Sequence, residues 1–167
     1  DANLGGNWWI YGGGMCGMVA WFALNRAGIR NIRILDRNPH GYEGPWDTYA
    51  RMETLRSPKQ LVGPASGHPS MTFQAWYRAR FGAEAWDRLD KIPRRMWMDY
   101  LRWFRKVLGI PTENGVSLTK VEPHNDLLRL TVTGEAQGMI LTRRLIMATG
   151  RDGTGAPAVP DFVKGLD

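Results

Sequence analysis

The sequence predicts an α/β fold: a parallel sheet with a helical insertion and a small antiparallel β-meander. Three observations predict it. A short apolar run, Trp8-Trp9-Ile10-Tyr11, ends in three consecutive glycines, Gly12-Gly13-Gly14, and is followed by apolar residues at helical spacing. A second apolar run, Ile32, Ile34 and Leu35, stops at an acid, Asp36. After Pro111 the pattern changes to short alternating runs.

The first run is too short for a helix and apolar throughout, which is the signature of a strand buried on both faces. Met15, Met18, Val19, Phe22 and Ala23 then predict a helix with Gly28 as its C-cap. With the second strand this makes a βαβ-type start. Residues 37–70 are rich in Gly, Pro and Ser and predict a long loop, a kind of segment that usually carries function. Met71–Asp90 predicts two helical pieces broken near Gly82.

Arg94–Leu108 is the clearest helix, with Pro93 suited to its first turn. Trp97, Tyr100, Leu101, Phe104, Val107 and Leu108 make a core face; Arg95, Asp99, Arg102 and Lys106 make a solvated one. Val116, Leu118 and Val121, then Leu128, Leu130 and Val132, then Met139–Thr142, predict the meander. Leu145–Ala148 predicts a return to a buried strand ending in Ala148-Thr149-Gly150. From Arg151 the chain is rich in Gly and Pro and reads as a linker.

Composition limits the function. The chain has 167 residues, 43% apolar and 23% charged, as an ordinary globular domain does. Its one cysteine, Cys16, excludes a disulfide framework, a multi-cysteine zinc site and a vicinal-cysteine redox centre. Three isolated histidines, His40, His68 and His124, argue against a metal site. The net charge of +6 comes from scattered arginines, which suit small anions better than nucleic acid. Glycines interrupt the apolar stretch 8–24, which argues against a membrane span, and no targeting segment is visible. A cytoplasmic location is expected by default.

Gly12-Gly13-Gly14-Met15-Cys16-Gly17 satisfies G-x-G-x-x-G. Gly12 permits the tight turn out of the strand, Gly14 lets the backbone approach a pyrophosphate, and Gly17 lets the helix pack closely on the sheet. The helix N-terminus then faces the phosphates with unpaired N–H groups. Asp36 follows at the end of the next strand, about 20 residues on, where a carboxylate reaches ribose hydroxyls. The domain expected is therefore Rossmann-like. The acid suits NAD or FAD and disfavours a 2′-phosphate. The N-terminal position of the glycines, the long loop after Asp36 and the late return into Ala-Thr-Gly favour FAD.

These residues resemble the class B flavoprotein monooxygenases, the group of flavin-containing, Baeyer–Villiger and N-hydroxylating monooxygenases. Asp36-Arg37 resembles their acid-plus-basic pair, Gly44-Pro45-Trp46 their Gly-x-Trp element, and Leu55-Arg56-Ser57-Pro58-Lys59 the segment approaching the flavin ring. Ala148-Thr149-Gly150 resembles their Ala-Thr-Gly element, and Pro157, Pro160, Phe162 and Gly165 the crossing towards an NADPH-binding domain. The resemblance implies a Rossmann-like FAD-binding domain over residues 1–150 and a linker over 151–167. It implies FAD as cofactor, NADPH as electron donor of the full-length enzyme, and transfer of one oxygen atom to a small organic substrate.

The cofactor-binding residues expected are Gly12, Gly13, Gly14, Met15, Cys16, Gly17, Asp36, Arg37, Trp46, Arg56, Leu118, Ala148, Thr149 and Gly150. Cys16, at a helix N-terminus, reads as a small residue near the pyrophosphate in preference to an activated thiol. Asp47 and Arg56 read equally as flavin contacts or as solvated charges.

The resemblance also implies an aromatic-Gly-His signature and a second glycine fingerprint, which these 167 residues do not contain. The expectation is a cofactor-holding portion that does not turn over alone, either part of a longer enzyme or a stand-alone relic. Trp8, Trp9 and Tyr11 depart from the small aliphatics usual in the first strand and are expected to crowd the sheet. Two other readings stand beside the monooxygenase: a flavoprotein reductase or dehydrogenase without oxygen insertion, and a non-catalytic module holding FAD or an adenine nucleotide.

Overall fold

A four-residue apolar strand needs hydrogen-bond partners on both edges and cover on both faces. The computed structural model, which describes residues 8–61 and 63–154, supplies all four. Strand β1 (Trp8–Tyr11) is the centre of a parallel sheet of order β2-β1-β6, between β2 (Ile32–Leu35) and β6 (Arg144–Met147). Ile10 pairs with Ile34 on one side and Ile146 on the other. Side chains of β1 alternate between two cores. Trp8 and Ile10 face the helices, while Trp9 and Tyr11 face an antiparallel sheet, order β3-β4-β5, packed on the other side. The bulk expected to crowd the sheet is thus shared between two layers. Each indole also carries a guanidinium over its ring: Arg144 over Trp8 at 5.0 Å and Arg33 over Trp9 at 4.4 Å.

Helix α1 (Met15–Arg26) ends as predicted near Gly28, which adopts φ 86°. The Gly28 and Ile29 N–H groups donate to the Asn25 and Leu24 carbonyls at 3.0 Å each, closing the last turn. Its packed stripe differs from the predicted one. Gly17 touches the sheet, so Met18, Trp21 and Leu24 follow onto the core, whereas Ala23 is exposed and Val19 and Phe22 are only half-buried.

The segment 37–68 has no helix or strand among its described residues, and hydrogen bonds to other elements hold it. Leu55 N–H donates to the Ile92 carbonyl at 2.8 Å. Lys59 Nζ donates to the Trp86 and Leu89 carbonyls at 2.7 and 2.5 Å, a cation at the end of helix α3 (Ala83–Arg88). Helix α2 (Phe73–Phe81) meets α3 at Gly82, whose φ of 87° makes the predicted break. Phe73 packs at ring-centroid distances of 5.5–5.6 Å from Trp76, Trp97 and Tyr100.

Helix α4 (Arg94–Leu108) is preceded by Pro93 at its N-cap and closed by Gly109 in the left-handed region. Trp97, Tyr100, Leu101 and Phe104 are buried as predicted, but Val107 is 54% exposed and Arg105 is buried in its stead. The reason is the phase of the helix. Met98, Leu101 and Arg105 follow one another at helical spacing, and Val107 falls outside that arc. Val107→Gln should therefore change unfolding free energy by less than about 0.5 kcal/mol, while Phe104→Ala should cost about 3–5 kcal/mol. Urea denaturation of the two variants checks the pair.

The meander comprises β3 (Val116–His124), β4 (Leu127–Gly134) and β5 (Gly138–Thr142). Its register shifts between Leu118 and Lys120, a bulge at Thr119, which explains why the apolar positions run Val116, Leu118 and then Val121. Among the described residues no helix is long and apolar enough to cross a membrane, and no group of three or more His, Cys, Asp or Glu could hold a metal.

Candidate dinucleotide site

In an open parallel sheet the carboxyl ends of the strands border the binding crevice. Here the ends of β1, β2 and β6 open into a cleft of about 560 Å³. Gly12, Gly14, Met15, Cys16, Asp36, Arg37, Trp46, Leu118, Ala148, Thr149 and Gly150, all expected at the cofactor, line it. Gly13, Gly17 and Arg56 do not; Arg56 is exposed elsewhere in the long loop. Tyr11, Asn38, Tyr49, Met147, Arg151 and Gly153 line it unanticipated. Arg151 and Gly153 sit in a short 3-10 turn, Gly150–Thr154, within the stretch expected to be linker. Pro157, Pro160, Phe162 and Gly165 lie outside the described residues.

Backbone geometry explains the glycines. Gly12 has φ 110°, and a Cβ there would stand 2.3 Å from the Ala148 carbonyl oxygen. The Ala148 N–H donates to the Tyr11 carbonyl at 2.7 Å, which fixes the Ala-Thr-Gly element against the turn. A Cβ on Gly17 would stand 1.9 Å from the Gly12 carbonyl oxygen, so α1 lies directly on the turn. Gly14 is the N-cap of α1, with neither a capping side chain nor an acid in the first turn. The first N–H groups are left for an anion at the positive end of the helix. Gly44, at φ 84°, brings the Gly-x-Trp loop against Gly14, and Trp46 packs edge-on against Trp97 at 6.2 Å.

Asp36 has two tasks. Its carboxylate accepts from the Gly13 N–H and the Asn38 N–H, both at 2.7 Å, and it also lines the cleft. Each oxygen keeps a lone pair for a ribose hydroxyl. Burial raises its pKa above the ordinary value, with Glu43 adding to the rise; the two N–H donors and Arg105 oppose it.

Beneath the turn is a polar cluster that the sequence reading missed. Arg105 from α4 donates to the Gly13 carbonyl and pairs with Glu43. Asn114 Nδ2 donates to Glu43 Oε1 at 2.8 Å and to the Asn38 carbonyl at 3.0 Å. Burial lowers the Arg105 pKa, and the neighbouring Glu43 and Asp36 carboxylates raise it. The helical spacing from Met98 and Leu101 was the available signal for Arg105; no local pattern marks Glu43. Asp47, left open as a flavin contact, instead pairs with Arg102 at 2.5 Å and Arg94 at 3.5 Å.

This site fits an adenine dinucleotide: a glycine turn, an uncapped helix start and a carboxylate line one cleft together with the half-exposed Tyr49 and Met147. Comparison with known proteins agrees. A FAD-dependent urate hydroxylase from Xanthomonas campestris pv. campestris is 46% identical over 156 residues, which is 92% of this chain and 33% of that protein. The chain thus spans about a third of the length of this curated relative.

Among solved structures, an ornithine hydroxylase from Pseudomonas aeruginosa superposes with a TM-score of 0.73 at 18% identity, covering 96% of this chain and 42% of the other. A bacillithiol disulfide reductase from Staphylococcus aureus gives 0.63 at 20% identity, covering 86% and 38%. These two establish the fold. The FAD-NAD(P)-binding family matches residues 9–152. The chain belongs to that family and has the architecture of the FAD-binding region of flavin monooxygenases.

Proposed function

We propose that this chain holds FAD with its pyrophosphate at the start of α1, as part of an NADPH-dependent hydroxylase acting on a small heterocycle of the urate class. The uncapped N-terminus of α1, enclosed between Gly12–Gly14 and Ala148–Gly150, carries the FAD reading. The 46% identity to a urate hydroxylase supports the substrate class. Bound FAD supplies the electron and oxygen chemistry, and the protein supplies place and shelter.

In this reading Gly12 and Gly14 keep side chains away from the phosphates. Asp36 accepts from the adenosine ribose, and its charge disfavours a 2′-phosphate there. Trp46, Tyr49 and Met147 give apolar cover, Leu118 lies on the meander side, and Arg37 meets the adenosine end. The stretch from residue 151 leads towards an NADPH-binding unit. The single free thiol, Cys16, suits the reducing cytoplasm.

Cys16 is exposed and lines the cleft, so it reports occupancy. Adding FAD to the purified chain should produce flavin bands that persist through desalting. At FAD tenfold above its Kd, maleimide labelling of Cys16 should slow by about tenfold. A chain that gains no flavin bands, or labels at an unchanged rate, overturns the site. For the whole protein, NADPH oxidation should depend on urate and yield an oxygenated product. NADPH oxidation without oxygen transfer to any substrate would favour the reductase reading.

A further inference from the structure

Three consecutive glycines are the most permissive backbone a chain can offer, and a glycine–glycine peptide can rotate at little cost. A rotation of the Gly13–Gly14 peptide would present a carbonyl oxygen where an anion needs an N–H. Some part of the molecule has to hold that peptide.

Both sides of Gly13 are held by ionised groups. Its N–H donates to Asp36, and its carbonyl accepts from Arg105. Arg105 arrives from α4, an element that does not line the cleft, and its side chain is 9% exposed. Glu43, 1% exposed, pairs with it, and Asn114 ties Glu43 to the Asn38 carbonyl. The Asn38 N–H returns to Asp36. The network thus closes on itself around Gly13. A Cβ at Gly13 would meet Thr112, Asp36 and Glu43 at 2.9–3.3 Å, so there is no slack for the turn to shift.

Buried ion pairs are poor devices for stability alone, because their desolvation offsets their attraction. They are good devices for fixing one geometry. A charged donor on a carbonyl also makes a stronger hydrogen bond than a neutral one. We propose that Arg105, held by Glu43, is a positioning residue that locks the glycine turn in the orientation required for a pyrophosphate. It touches no ligand itself.

The proposal rests on the reading that the start of α1 receives the pyrophosphate. Its test therefore uses ligands with and without one. The Kd values of ADP, adenosine and FAD are measured for the chain, for Arg105→Met and for Arg105→Lys, with far-ultraviolet circular dichroism as the check on folding. Arg105→Met should weaken ADP and FAD by about ten- to a hundredfold and adenosine by less than about threefold. Arg105→Lys, which keeps a charged donor, should recover part of the loss. Equal weakening of ADP and adenosine, or a folded variant with unchanged ADP affinity, overturns the positioning role. If Arg105→Met does not fold, Glu43→Gln replaces it with the same expected ratio. A starting chain that binds neither ADP nor FAD would instead defeat the cofactor reading.

Discussion

Gly17→Ala should destabilise the chain by about 3 kcal/mol or more and abolish FAD binding. The sign is informative. In an isolated helix, alanine for glycine stabilises by about 1 kcal/mol, so propensity argues the other way. Here the new methyl would stand 1.9 Å from the Gly12 carbonyl oxygen, which is backbone and has no rotamer with which to yield. The helix must lift off the turn, taking its N-terminal N–H groups from the phosphate position. Gly28→Ala is the control. Its Cβ meets nothing within 4 Å, so only the cost of a left-handed alanine remains, about 1–2 kcal/mol, with FAD affinity retained. Urea midpoints and flavin titration of both variants give the comparison. A Gly17→Ala chain with an unchanged midpoint would mean that α1 does not rest on the turn.

The second large effect is at the buried pair. Arg105→Met should cost about 3–5 kcal/mol, because Glu43 is left enclosed without its cation. Adding Glu43→Leu should recover much of that loss, since a matched apolar pair avoids the desolvation. The double variant should still bind ADP weakly, which separates packing from positioning in one protein. The pH dependence follows from Asp36. Its folded pKa already lies above the ordinary value, so the folded chain holds this proton more tightly than the unfolded one. Such a group favours folding at low pH, and that contribution is lost as the pH rises through its folded pKa. Removing the Arg105 charge raises that pKa further. The Arg105→Met penalty should therefore grow as the pH rises through the folded pKa of Asp36, as urea titrations across the acid range would record.

Both experiments concern residues of different legibility. Gly17 and Asp36 were readable from sequence because the constraint on them is local: a turn, a helix start and a strand end lie within one βαβ unit. The meander was readable from its alternation, and even its bulge left a trace in the phase change at Val121. Arg105 was not, because polarity by residue type said surface while helical spacing said core. Glu43 sits in an irregular loop where no periodicity applies, and its partners come from α4 and the segment before β3. The apolar stripe of α1 was misplaced because Gly17, which carries no side chain, sets the packed face. Arg56 rests on motif position alone, and it is exposed and not among the residues that line the cleft.

The position of β6 has a consequence for how the molecule is made. Trp8 pairs with Arg144, almost the whole described chain away, and the Ala148 carbonyl that faces Gly12 arrives later still. Pairings of this range close slowly, because the ordering of the intervening chain precedes their reward. During synthesis the glycine turn leaves the ribosome before β6, which carries its opposite wall. The cleft is complete only once β6 has paired with β1, so bound FAD should slow unfolding of the domain more than it speeds folding, as stopped-flow measurements with and without FAD would record.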